Sequence, residues 1–323
     1  MKAPALSVIL ACSDSLSTVA RTLSALGEQE VCSQIELVLV APSQSSLRLD
    51  ESQMQNFWGC QVVYTESPKF SSIAQANAAG IRKARAEIVV LAEDHSFPDK
   101  GWAAALLDAH QGPWAAVGPA VSNANPHSSL SWADFWIGYG PWSAPCRSHE
   151  VAFLPGHNSS YKRSELAHYE ERLEEVLQSE TALHFDMRAR GRRLYLCAQA
   201  RTAHVNFSLP SSWLRVQIDN GRIFAAQRSR DWPVWRKWFY ALASPLIPWV
   251  RGFRIVRTSF PKPGLTRALP WLIVGLALDG LGQMSGYALG PGDSAQNLVN
   301  YEFRRIDHIS AKDRETIFGG QHA

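Results

Sequence analysis

Cysteine is scarce and scattered: Cys12, Cys32, Cys60, Cys146 and Cys197 form no CxxC pair. That excludes a disulfide framework and a cysteine zinc site, and it predicts a reducing, cytosolic setting. Net charge is small as well, since 32 basic residues face 29 acidic ones for a formal +3 over 323 residues. A protein that coats nucleic acid along its whole length is therefore excluded. Internal repeats and low-complexity tracts are missing, and 46% hydrophobic against 19% charged residues excludes a disordered chain. The first apolar run, Leu6 to Ala11, is too short for the core of a secretion signal and reads as a strand. After it, Cys12-Ser13-Asp14-Ser15-Leu16-Ser17 lacks the GxGxxG fingerprint, which removes a nicotinamide-dependent oxidoreductase.

What is present is alternation. Apolar runs at Leu6–Ala11, Ile35–Val40, Gln61–Tyr64 and Glu87–Ala92 read as buried parallel strands. Leu16, Val19, Ala20, Leu23 and Leu26 recur at helical spacing before Gly27, and an alanine-rich helix is predicted over 73–86. Strands alternating with helices predict an α/β sheet whose ligands bind at the carboxyl ends of the strands. From Trp114 to His149 the pattern loosens into an aromatic stretch that includes Trp132, Phe135 and Trp136, either a satellite core or an acceptor-binding lid. A charged helix over 164–179, a second over 180–190 and a strand over 193–197 complete this part.

The fourth strand releases Glu93-Asp94-His95 at its carboxyl end. Two carboxylates and an imidazole there need a cation or hydrogen-bond donors to offset their desolvation, and a divalent metal holding a diphosphate supplies one. The plainer reading is a solvated turn before a helix. At this point the sequence resembles a family-2 glycosyltransferase of the GT-A fold, a Rossmann-like, mostly parallel sheet flanked by helices. The resemblance runs over residues 5–230. It rests on the first strand, the Gln75–Glu87 segment, Glu93-Asp94-His95, Pro155-Gly156-His157-Asn158, Ser179-Glu180-Thr181 and His204.

That resemblance implies inverting transfer from a nucleoside-diphosphate sugar to a hydroxyl. It places Ala11, Ser43, Glu93, Asp94 and Asn158 on the donor, and His95 and His204 on a manganese or magnesium ion. Gly156, His157 and Trp136 fall on the acceptor side, with Glu180 as the general base and Asp186 in reserve. Three positions depart from the family pattern: Ala41 and Thr181 stand where acids are usual, and His95 replaces an aspartate. They leave open the alternative of a chain that binds a nucleotide sugar without transferring it.

The C-terminal part differs in kind. Residues 213–270 carry eleven basic and two acidic side chains, 11 − 2 = +9, interleaved with Trp213, Trp232, Trp235, Trp238 and Trp249. Indoles among bases and Leu-Ile runs suit a membrane interface better than nucleic acid. The uncharged runs 238–250 and 268–278 fall short of the ~20 residues of a span, so interfacial or re-entrant helices are predicted. The predicted division is a GT-A domain over 1–212 and a basic, Trp-rich helical region over 213–323. This places the protein at the cytoplasmic face of a membrane, with a lipid-linked or saccharide acceptor, or, as the other possibility, makes it a membrane scaffold.

Overall fold

A computed structural model describes residues 3–13, 16–44, 54–67, 69–259 and 261–319. In chain order the strands are β1 (Leu6–Ala11), β2 (Ile35–Ala41), β3 (Gly59–Tyr64), β4 (Ile88–Ala92), β5 (Ser96–Pro98), β6 (Ala116–Asn123), β7 (His149–Val151), β8 (Ser160–Lys162) and β9 (Leu194–His204). The first α-helices are α1 (Leu16–Gly27), α2 (Ile73–Lys83), α3 (Trp102–Ala109), α4 (Ser129–Tyr139), α5 (Arg163–Ala167), α6 (Leu173–Leu177) and α7 (Glu180–Ala189). Then come α8 (Pro210–Arg228), α9 (Val234–Ala243), α10 (Ile247–Ser259), α11 (Leu265–Leu289), α12 (Ser294–Glu302) and α13 (Ala311–Phe318).

Two compact units result, Met1–Ser122 with Trp142–His204, and Asn123–Pro141 with Val205–Ala323. The observed change therefore falls after His204 rather than at the predicted 212/213, and α4 joins the C-terminal unit. Its Asp134 carboxylate explains the attachment: it accepts from the Phe207 amide at 3.0 Å, the Trp213 indole at 2.9 Å and the Gln217 amide at 3.2 Å.

In the first unit the four predicted strands form the parallel half of one sheet. Leu6 of β1 stands opposite both Ile35 of β2 and Ile88 of β4, and β3 flanks β2. The sheet runs in the order β3-β2-β1-β4-β8-β6-β9-β5, with β7 on β9; β8 pairs antiparallel with β4 and β6, and β9 pairs antiparallel with β5 and β7. β-Branched and leucine side chains of β1 and β2 are buried on both faces, as parallel strands between helix layers require. On one side Leu10 and Leu39 pack in a core with Val19, Leu23, Trp102 and Leu106 from α1 and α3. On the other, α2 is built from alanine and glycine and rides close to the sheet: a Cβ on Gly80 would meet Ile9 Cγ2 at 2.4 Å. The predicted helix over 164–179 is instead α5, a 3-10 turn at Glu170–Arg172 and α6. Glu170 takes a positive φ of 46°, which an α-helix does not accommodate.

The second unit is helical. α11 crosses α8 at backbone contact, since a Cβ on Gly282 would lie 2.1 Å from the Ile218 carbonyl oxygen and one on Gly286 2.2 Å from that of Arg222. Small residues here replace side-chain interdigitation by direct van der Waals contact of main chains. The 268–278 run is part of this longer helix, and the 238–250 run is divided between α9, a 3-10 turn at Ser244–Leu246 and α10.

Candidate metal and donor site

The carboxyl ends of β1, β2 and β4 leave the sheet at one edge, so Ala11, Ser43 and Glu93 emerge together, all three partly buried. Antiparallel pairing of β5 with β9 puts Ser96 opposite His204. This register carries His204 back to the strand end that bears Glu93 and His95. Glu93 Oε2 lies 3.4 Å from His95 Nε2 and 3.6 Å from His204 Nε2. One ligand atom from each of the three residues falls within 4.8 Å of the others. Glu93, placed on the donor by the sequence, thus also joins the histidines as a potential third ligand.

Around this cluster the side chains are oriented from outside. Asp94 Oδ1 is 2.5 Å from His95 Nδ1, so the imidazole is held by that nitrogen and turns Nε2 toward Glu93. A carboxylate behind a histidine is the usual way of fixing the tautomer of a ligand. Thr22 on α1 donates its hydroxyl to the carbonyls of Glu93 and Asp94, 3.1 Å from each. Gln29, two residues past the end of α1, bonds the Asp99 carbonyl and the Ala103 amide. Neither residue stands out in the sequence, where nothing links Thr22 or Gln29 to a loop some seventy residues away.

The Gly156 segment closes the other side. Asn158 is 1% exposed with φ of 50°, its amide donates to the Leu91 carbonyl at 2.7 Å, and its side-chain amide donates to Ser96 Oγ at 2.6 Å. A buried non-glycine residue held in the left-handed region stores strain of ~1–3 kcal/mol, a feature that clusters at functional sites. His157 Nδ1 is 3.2 Å from the same Ser96 hydroxyl, and its ring stacks on that of His204 with centroids 4.6 Å apart. Ser96 is therefore a hub that the sequence does not reveal, since its neighbours His157, Asn158 and His204 come from two distant segments.

Glu180 opens α7 directly after the N-cap Ser179, whose hydroxyl accepts from the Ala182 amide. A Cβ at Gly156 would lie 3.1 Å from Glu180 Cδ, so the bare glycine is what lets the carboxylate approach the His157-Asn158 turn. The helix is pinned by His184, whose Nδ1 accepts from the Leu154 amide at 3.4 Å and whose Nε2 is 2.9 Å from the Tyr161 hydroxyl. Burial lowers His184 to about 3, keeping it neutral, and burial followed by the Glu180 charge raises Tyr161. Both shifts mark a dry floor beneath Glu180.

Two predicted residues have structural partners of their own. Trp136 is 1% exposed inside the α4 aromatic cluster of the second unit, in contact with Trp132 and Phe135, a packing position and not an acceptor-facing surface. Asp186 takes the Tyr169 hydroxyl at 2.6 Å and Arg190 at 3.1 Å, an arrangement that braces α7.

The donor set fits a divalent cation. Glu93 Oε2 is a buried carboxylate oxygen that no hydrogen bond reaches among the described residues. One carboxylate with two imidazoles is a combination that borderline first-row ions accept.

No protein-family model and no curated protein matches the sequence. Solved structures with similar chain traces include a mannosyltransferase and proteins bound to nucleotides or nucleotide sugars. S. aureus TarS shares 16% identity over 90% of this chain and 91% of its own, with a TM-score of 0.46. The mannosyltransferase PcManGT from Pyrobaculum calidifontis, solved with GDP-Man and Mn2+, shares 15% over 99% and 86%, with a TM-score of 0.49. GalNAc-T7, solved with UDP, GalNAc and Mn2+, shares 14% over 62% of this chain, which spans 43% of its length, with a TM-score of 0.45.

Proposed function

We propose that this protein is an inverting glycosyltransferase of the family-2 type, moving a sugar from a nucleoside-diphosphate sugar to a hydroxyl of a lipid-linked or saccharide acceptor. The observation that carries the reading is the convergence of Glu93, His95 and His204 beside the Gly156-His157-Asn158 turn, with Glu180 against that turn. Glu93, His95 and His204 would hold a manganese or magnesium ion, which when bound would neutralise charge on the diphosphate. Asp94 keeps the His95 ring turned toward Glu93, and Thr22 keeps the loop that carries both in place. Ala11 and Ser43 line the nucleotide side of the strand edge, and Asn158, already fixed by Ser96, offers its amide to sugar hydroxyls.

Glu180 takes the proton of the acceptor hydroxyl. As that proton transfers, the acceptor oxygen bonds the anomeric carbon, the carbon–oxygen bond to the diphosphate breaks, and the nucleoside diphosphate leaves from the opposite face with its bonding electrons. One base and one displacement invert the anomeric centre. Gly156 and His157 border the space the acceptor enters. The basic, tryptophan-rich C-terminal unit supports placement at the cytoplasmic face of a membrane and an amphipathic acceptor.

The test is calorimetric titration of UDP, GDP and dTDP with manganese, magnesium or chelator. One nucleotide is expected to bind in a metal-dependent way, and His95→Ala and His204→Ala should each abolish the metal dependence. Glu180→Gln should keep donor binding and lower transfer by ~10²–10⁴-fold, the range of a general base. Unchanged transfer in Glu180→Gln removes that residue from the mechanism. Donor binding with no turnover by the wild type favours a sugar-nucleotide binding module instead.

A further inference from the structure

Between Val234 and Ser259 the second unit presents two short helices joined by a 3-10 turn. On α9, Val234, Trp235, Trp238, Phe239 and Leu242 are exposed by 52–77%, spaced so that they form one face. On α10, Trp249 at 78%, Val250 and Phe253 repeat the pattern, and Leu246 in the turn joins the two stripes. The opposite sides are occupied. Ala241 is buried in a cluster with Tyr287, Gly252 faces Leu276, and Arg251 donates to the Asp279 carboxylate at 2.6 Å. Both helices thus pack on α11 with their inner sides and turn tryptophan, phenylalanine and leucine outward.

So many large apolar side chains exposed along one continuous segment mark a docking surface. Its charge selects the partner. Residues 234–259 carry five basic side chains and no acidic one. Arg254 and Arg257, both exposed, border the apolar stripe of α10, Arg254 four residues after Val250 and Arg257 four after Phe253. A second copy of the same face would set bases against bases, whereas anionic headgroups beside acyl chains match both components.

The same unit argues against a crossing. α11 is the one helix among the described residues long and apolar enough to span, yet Asp279 and Gln283 sit on its buried side and bond each other at 2.9 Å. That side packs on α8 through Gly282 and Gly286, so α11 serves as the core helix of the unit.

We infer that α9, the turn and α10 form a platform that lies flat in the headgroup layer of an anionic leaflet, with indole and phenyl rings at the acyl boundary and Arg254 and Arg257 among the lipid phosphates. This deepens the membrane-surface part of the proposed function and rests on that reading, not on the donor site.

The experiment is co-sedimentation of the full chain with phosphatidylcholine vesicles, with and without phosphatidylglycerol. Strong, salt-sensitive binding to the anionic vesicles is expected. Trp235→Ser, Trp249→Ser and Phe253→Ser combined should weaken it by about tenfold or more on both vesicle types, because the apolar contact is lost. Arg254→Gln with Arg257→Gln should weaken it about tenfold on anionic vesicles alone. Wild-type protein that pellets with neither vesicle, or variants that pellet like the wild type, would overturn the inference. So would a dimer in ultracentrifugation that the tryptophan variant abolishes while vesicle binding is absent. Nucleotide titration of the same variants separates the two readings: donor binding should be intact in all of them. Failure of nucleotide to bind a wild type that still pellets with vesicles would sink the transferase reading alone.

Discussion

His184 and His110 show how single buried groups tie the site to pH. His184 is fully buried against Tyr161, and His110 Nε2 is 2.8 Å from the Ser160 hydroxyl, which itself donates to the Val117 carbonyl. Burial lowers His184 to about 3, and burial with the Lys162 charge lowers His110 to about 4, from an ordinary 6.5. Both are neutral in the fold at pH 5, where the unfolded chain has already bound the protons. Stability is therefore full above pH 6.5 and is lost as the pH falls toward those lowered values, by about 1.4 kcal/mol per pH unit for each histidine. Urea midpoints of the wild type should drop steeply through this window, and His184→Gln, though less stable at neutral pH, should show a shallower slope. Equal slopes in the two proteins would contradict a neutral His184. Among the catalytic candidates, Glu93-Asp94-His95 stood out as acids and an imidazole at a strand end, and the Gly156 segment and Glu180 only through the resemblance to family-2 motifs. Ser96 and Thr22 were not, since each acts only through partners brought to it by folding.

Elements differ in how openly their sequences declare them. β1, β2, β4 and α1 were readable because apolar runs and helical spacing reflect burial on fixed faces. β5, β7 and β8 have three residues each, too few for any period, and are strands only because β9, β4 and β6 offer them partners. The break between α5 and α6 was equally hidden, as helical periodicity carries no trace of the positive φ at Glu170. Helix packing in the second unit gives a prediction of opposite signs. Gly282→Ala drives a methyl against the Ile218 carbonyl and should cost about 1–3 kcal/mol, because backbone on backbone cannot yield cheaply. Gly252→Ala places its methyl 3.5 Å from Leu276 Cδ1, an ordinary contact, and should stabilise α10 by about 0.5–1 kcal/mol through lower chain entropy. Thermal unfolding of the two variants decides; equal effects would mean that α8 and α11 do not meet at backbone contact.

For the whole molecule, binding should appear as stability. A ligand that binds only the folded chain adds about 2.7 kcal/mol at roughly one hundred times its Kd. Manganese with the cognate nucleoside diphosphate should therefore raise the thermal midpoint by several degrees, chelator should reverse the gain, and His204→Ala should not show it. A midpoint indifferent to metal and nucleotide together would remove the donor site. The linear chain specified the α/β alternation, the acidic and histidine motifs and a basic, aromatic C-terminal region, because each is a matter of local composition and period. Folding settled that Glu93 meets His204, that a bare Gly156 admits Glu180, that α4 belongs with the C-terminal helices, and that α9 and α10 turn their tryptophans outward. The reason is physical: strand register and backbone approach depend on residues far apart in sequence, and no local pattern encodes the distance between them.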